Sequence, residues 1–533
     1  MKNKKVVIFL SSIVVLIGGI LFANQIYNKS KNKQIPKRNN LAIMVKGESG
    51  EYISSESIPK GNYVLNEEKT ICENGGKVVS YNNSTGQIGF SFLGSDRCSL
   101  YFDEIIDNEK PVISNLKINV KTITATLTDN QSLLAYGFST SNSTEPTSWT
   151  SISGTTYNLN TTISTEGTYY LWVKDSAGNK AVSNVIDLEK KGWQTILANN
   201  TVNETTPDFS KVTTASEKGL YKADDDYTAT TGMKSYYFRG AVDNNWVKFG
   251  KENNKDMYWR IIRVNGDGSI RMIYTGTTAP TESTKVVMTG TGTQINATTY
   301  AFNSSYDRSE YVGYQYIDGK QHGYGECNGT SASCTVNGTT VYNSAIKQAI
   351  DKWYAGTTLE KDAATKALVS QDQIFCNDRS ASSIQTAAWK STGAAYYYGA
   401  DGRLFSNKTP ILTCPTASDK FTVGTSNGNG ALTYPVGLIT ADEVAMAGGV
   451  SGSDNSSYYL YTNQYYWSGS PDYFFNRNGS TAPAGARGFS VDSSGDIVAR
   501  MVYASSGARP VVSLSSKAKL SGNGTWNNVY TVK

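Results

Sequence analysis

A single histidine, His322, is present in 533 residues. Ser-His-Asp triads, histidine-rich zinc sites and histidine general bases all rely on an imidazole that titrates near neutral pH, so this scarcity excludes most of them. Charge is also sparse, at 18% of residues. The formal net charge of +5 misleads, because residues 1–40 carry eight Lys or Arg and no acid. The rest of the chain holds 42 basic and 45 acidic side chains, a net of −3. A nucleic-acid binder would show a basic excess in its folded part, so no nucleic-acid partner is expected. No two of the six cysteines have C-x-x-C spacing, and there is no second histidine to complete a zinc finger. No metal or cofactor is therefore expected. Calcium is compatible with the composition but no motif indicates it.

What is abundant is turn and strand chemistry: 35 Tyr and 49 Gly, with Ser, Thr and Asn prominent. Tyr and Thr suit pleated, half-buried surfaces, and Gly and Asn supply turns. The fold class expected is multidomain and mainly β with an α+β head. The length exceeds what one core serves, and several domains follow.

Residues 6–23 form an uncharged run of 18, preceded by Lys2, Lys4 and Lys5. At helical rise that run just spans a bilayer. Ala23 suits a cleavage site but Leu21 does not, which favours an uncleaved signal anchor over residues 1–27. Lys29, Lys31, Lys33, Lys37 and Arg38 make 28–40 a basic linker. Their charge alone would keep the bulk inside, but long domains are translocated regardless of it. The expectation is a single-pass protein of the cell membrane, tethered through 6–23, with the bulk extracellular.

Cysteines 72, 98, 327, 334, 376 and 414 are even in number, which in an exported chain implies disulfides. Sequence proximity and domain boundaries favour Cys72–Cys98, Cys327–Cys334 and Cys376–Cys414. Residues 41–105 read as a small β unit whose thin core such a bond would support.

Residues 109–190 read as a β-sandwich. Its clearest strand, 167–173, alternates Tyr170 and Trp172 against Tyr169, Leu171 and Val173, then meets Asp175-Ser176-Ala177-Gly178-Asn179. This resembles the bacterial immunoglobulin-like repeats of surface proteins, where an aromatic strand ends in a D-x-A-G-N turn. The resemblance implies a spacer.

Residues 191–533 make the largest part. Strands at 259–264 and 270–274 meet across Asn265-Gly266-Asp267-Gly268, a hairpin signal. Ile346, Ala349, Ile350 and Trp353 give 343–354 one apolar helical face. Thr440 and Glu443 form a capping box. Further on come Trp467-Ser468-Gly469-Ser470-Pro471, Arg487-Gly488-Phe489-Ser490-Val491, Asp492-Ser493-Ser494-Gly495 and Gly507-Ala508-Arg509-Pro510-Val511. That order resembles the C-type-lectin-like group related to formylglycine-generating enzymes, as found in anchored surface proteins of low-GC Gram-positive gut bacteria. The resemblance implies a scaffold holding a long irregular binding region. The cysteine pair of the oxidising enzymes and the E-P-N, Q-P-D and W-N-D motifs of calcium lectins are missing, so neither chemistry is implied. Arg509 is expected to pair with a carboxylate.

The best binding candidates are Tyr465, Tyr466, Trp467, Tyr473 and Phe474, since rigid amphipathic rings stack on sugars or peptide at low entropic cost. Tyr396-Tyr397-Tyr398 is a weaker cluster of the same kind. The bland alternative makes half of these rings core. Cys414 with His322 as a thiol enzyme is a minor reading, and Asp224-Asp225-Asp226 reads as a solvated loop. No catalytic constellation emerges. The function expected is extracellular binding or adhesion to a glycan, mucin or surface protein on host or neighbouring cells. A hydrolase in the head and a purely structural envelope component are the alternatives.

Overall fold

A computed structural model describes residues 6–10, 40–47, 49–92, 96–105, 107–119, 121–214, 216–223, 234–475 and 485–533. The protein is mainly β, with 38% of residues in strands and 12% in helices. It divides into two compact units, Met1–Leu188 and Glu189–Lys533.

The anchor expected at 6–23 and the linker at 28–40 lie mostly outside the described residues. Val6–Leu10, at the start of the expected span, is a strand paired antiparallel with Gln87–Phe92 and not a helical turn. Its Val-Val-Ile-Phe-Leu sequence is as favourable in a sheet as in a membrane helix. Among the described residues no helix is long and apolar enough to cross a membrane.

In the first unit, Asn40–Lys46 lies between Tyr52–Ser55 and Arg97–Glu104, and Tyr63–Leu65 and Ile71–Cys72 pair with the far side of Arg97–Glu104. Arg97–Glu104 alternates strictly in burial, which sends Cys98, Leu100 and Phe102 into a core with Ile43, Ile88 and Phe90. Cys72 and Cys98 are register partners on adjacent strands and are disulfide-bonded. Next come two sheets around one aliphatic core. Val112–Asn119, Thr122–Thr128 and Thr156–Thr162 form one; Leu133–Ser139 and Thr168–Asp175 centre the other. Ile123, Leu127, Leu133, Leu159, Leu171, Val173 and Ile186 fill the space between them.

The second unit is built on a nine-stranded sheet whose centre is Lys255–Val264, with Ser235–Arg239, Trp246–Glu252 and Ile270–Tyr274 beside it. The hairpin turn needs Gly268, which adopts φ +82° and would place a Cβ 2.8 Å from Trp193. Ile270–Tyr274 also pairs with Val511–Leu514, so the chain's last fifth closes the sheet begun in its middle. A separate four-stranded sheet runs Ala395–Tyr397, Tyr466–Phe475, Gly485–Val491, Ile497–Met501. Helix Ala345–Gly356 is capped by Ser344 and buries Ile346, Ile350 and Tyr354. Helix Ala441–Ala447 carries the capping box at Thr440 and Glu443. Cys327–Cys334 and Cys376–Cys414 are bonded.

Candidate functional site

The aromatic run at 465–475 divides into two populations. Tyr466 and Trp467 are fully buried, Phe474 is buried, and only Tyr465 and Tyr473 keep part of their rings in solvent. Trp467 donates its indole N–H to the Tyr300 carbonyl at 2.7 Å, and Tyr466 donates its hydroxyl to the Leu460 carbonyl at 3.1 Å. Three of the five expected ligand residues are therefore core. The physical reason is that the strand Tyr466–Phe475 is covered on both faces over its first seven residues, so side-chain parity sends nothing outward there. Alternation starts only at Tyr473 and Phe475, near the strand's end.

That end is where a surface forms. Tyr397, Tyr473, Arg487 and Met501 are consecutive register partners across all four strands. All four are half-buried. The Tyr397 and Tyr473 rings lie 5.6 Å apart, and the Arg487 guanidinium sits 4.8 Å from the Tyr473 centroid. Partial burial raises the Tyr473 hydroxyl above its ordinary pKa, with Arg487 opposing the shift. The backbone of Ala486 on the same strand bonds to Tyr306, whose ring packs 4.6 Å from that of Tyr503, itself 49% exposed. A second arginine, Arg500, lies 4.2 Å over Tyr465. Two clusters far apart in sequence, 396–398 and 473–475, thus meet on one sheet with a cation above the ring. Arg487 was legible only as part of a strand; its pairing with Tyr473 required the register.

Most buried ionisable groups described elsewhere in this unit have a partner of opposite charge. A small cleft beside the Cys376–Cys414 bond is lined by Arg263, Arg271, Arg403, Asp378, Asp442 and Glu443. Arg403 reaches Asp378 at 2.8 Å and forks onto Asp442 at 2.8 and 3.0 Å. Glu443 meets Arg271 at 2.5 Å and Arg263 at 3.4 Å. Burial alone would raise Glu443, but the two guanidiniums hold it below the usual carboxylate range. Glu443 therefore serves both as the helix cap the sequence announces and as counter-ion to two buried arginines.

His322 donates from Nδ1 to the Asp419 carboxylate, 2.9 Å away, and Asp419 is bound from the other side by Arg379 at 2.9 and 2.7 Å. Burial would raise the Asp419 carboxyl, but Arg379 and His322 keep it depressed. With Cys414 bonded to Cys376, this histidine faces no thiol nucleophile. Arg509 does not pair with a carboxylate as expected. It donates to the Leu460 and Tyr274 carbonyls at 3.0 and 3.3 Å and stacks 4.9 Å from Tyr466. Asp401 and Asp472 are buried neighbours that hydrogen-bond only if one carries a proton, and neither Asp472 oxygen has another donor. Burial and Asp401 push Asp472 well above the carboxylate range. Asp224-Asp225-Asp226 lies outside the described residues.

No family model matches the chain, and no curated protein matches it. Among solved structures it is similar to SGBP-B of the Bacteroides ovatus mixed-linkage glucan utilization locus, in complex with a mixed-linkage heptasaccharide, at 13% identity. That match covers 49% of this chain and 64% of the other, with a TM-score of 0.11. An overlap of that quality bears neither on the fold nor on a ligand.

Proposed function

We propose that this protein is a membrane-tethered extracellular binding protein whose C-terminal unit is a C-type-lectin-like head that recognises glycan. The immunoglobulin-like sandwich serves as its spacer. The observation that carries the reading is the cross-strand row Tyr397–Tyr473–Arg487, half in solvent and pinned on four hydrogen-bonded strands. Tyrosine rings present apolar faces to the C–H faces of a sugar, and an arginine fork supplies donors to its hydroxyls or carboxylate. Strand-borne side chains hold their geometry, so little entropy is lost on binding. The matched buried ion pairs at Glu443, Asp419 and Arg403 support a rigid scaffold for that row.

The purified, oxidised full chain should bind saturably on a glycan and mucin array. Tyr473→Ala with Tyr397→Ala should weaken binding by at least about tenfold, as expected for central aromatic anchors. A folded chain silent on glycans, or one whose binding survives the double substitution, would sink the proposal; retention of an immobilised cell-surface protein instead would point to a protein ligand.

A further inference from the structure

We propose that the sandwich over residues 107–188 carries a calcium site made by Asp107, Asp129 and Asp175. The three residues come from separate places: the segment entering the sandwich, the turn after Thr122–Thr128, and the end of Thr168–Asp175. One carboxylate oxygen from each lies within 4.8 Å of the others. Asp107 is 8% exposed and Asp175 is fully buried. Three like charges brought together out of water repel strongly unless a cation joins them. Three of the module's five lysines are engaged elsewhere: Lys180 with Glu145 at 2.6 Å, Lys174 over the Trp149 ring, Lys121 with the Ser164 carbonyl. No ion pair among the described residues reaches the three aspartates.

A second observation is independent of the clustering. The Oδ2 atoms of Asp107 and Asp129 are buried and accept no hydrogen bond from the described residues. Their Oδ1 atoms are held firmly. Asp107 accepts from Asn130 and the Glu109 backbone, both at 3.1 Å. Asp129 accepts from the backbones of Gln131 at 2.9 Å and Ser132 at 2.7 Å. Asp175 is gripped by Asn179 through its backbone at 2.8 Å and its amide at 2.9 Å. Asn179 also donates to the Asp107 carbonyl at 2.8 Å, tying two of the three aspartates together. Two of the carboxylates are thus oriented by one oxygen and leave the other bare. That is a ligand set fixed in advance of its ion.

The donor set selects the ion. It is all oxygen and anionic, without the imidazole or thiolate that zinc prefers. Two oxygens on one calcium, each about 2.3–2.6 Å away, can stand up to roughly 5 Å apart, which accommodates the cluster. Loop-borne ligands also suit calcium's flexible coordination better than magnesium's strict octahedron. An ion there would fasten the entering segment to the sandwich and stiffen the passage from the preceding β unit.

The test is calorimetric titration of the purified full chain, stripped with chelator, using calcium chloride, together with thermal unfolding in calcium and in chelator. The expected isotherm has a dissociation constant on the order of 10⁻⁴–10⁻³ M, the range of extracellular modules. Asp107→Asn and Asp129→Asn should each weaken it by about tenfold or more, because ligand charge sets affinity. A crossover is expected in melting: the wild-type module unfolds above both variants in calcium and below them in chelator, where each variant has lost a repelling charge. Absence of calcium heat up to about 10 mM from a folded chain would overturn the site. So would an isotherm that both variants leave unchanged, or variants that melt below wild type in both media.

Discussion

The sandwich and the C-terminal unit both take charge out of water, but they settle it differently. The C-terminal unit buries guanidiniums: Arg239, Arg260, Arg271, Arg379 and Arg509 are essentially inaccessible. Each meets acceptors from the unit itself. Arg239 reaches the Ala445 and Met446 carbonyls, and Arg260 reaches Asn245 and the Val242 and Val286 carbonyls while lying 4.2 Å from the Trp246 ring. The sandwich instead gathers carboxylates, and no ion pair among the described residues supplies them a counter-charge. A planar five-donor group can be satisfied by backbone carbonyls and ring faces, which any β-rich domain has to spare. A carboxylate cluster needs donors or a cation, and backbone N–H groups in a sheet are already committed. Buried arginines can therefore close a fold from within, whereas clustered aspartates need either a retained proton, as at Asp401 and Asp472, or a cation from outside.

The contrast breaks if removing a buried guanidinium is harmless. Arg271→Ala leaves Glu443 with Arg263 as its remaining charged partner, and should cost about 3–5 kcal/mol in urea unfolding, in calcium and chelator alike. This is opposite in sign to the chelator behaviour expected of Asp107→Asn. Of similar size, Trp467→Ala should cost about 3–5 kcal/mol as a large core deletion, making any loss of binding a loss of fold. Replacing Cys376 and Cys414 together should cost about 2–4 kcal/mol, judged by the loop closed, with the sandwich's melting unaffected.

The contrast sharpens at Asp472. Its carboxyl binds a proton more tightly folded than unfolded, so the folded state holds more protons and stability falls as pH rises. The decline begins above the ordinary carboxylate pKa of about 3.9 and continues to the raised folded value. Asp472→Asn should flatten that slope in a series of urea melts across pH; an unchanged slope would assign it elsewhere. Smallest of all, Tyr473→Ala should alter stability by about 1 kcal/mol or less, since the ring is half in solvent. Its effect should appear in ligand binding, separating it from Trp467.

Much of the fold is local in origin and was legible. The hairpin at 259–274, the helix after Ser344 and the Thr440–Glu443 cap are each written within a dozen or so residues by turn chemistry, periodicity and reciprocal hydrogen bonding. Alternation in Thr168–Asp175 likewise set Leu171 and Val173 on one face, and that face is the buried one. The site was legible only as a composition of tyrosines. Which rings face out was not, because a strand covered on both faces has no parity signal, and Tyr466 and Tyr473 look alike until their neighbours are known. The partners of Arg509 were not legible either, because they are carbonyls, which carry no sequence signature.

The sequence by itself therefore determined the β-rich class, the turns, the caps and the supply of aromatic rings, since these follow from backbone preferences and short-range spacing. Tertiary structure alone decided that Tyr397 and Tyr473 share a row with Arg487, that Glu443 neutralises two arginines, and that Asp107, Asp129 and Asp175 converge. Those outcomes depend on register and on long-range closure, where residues tens to hundreds of positions apart meet, and no local preference encodes such a meeting.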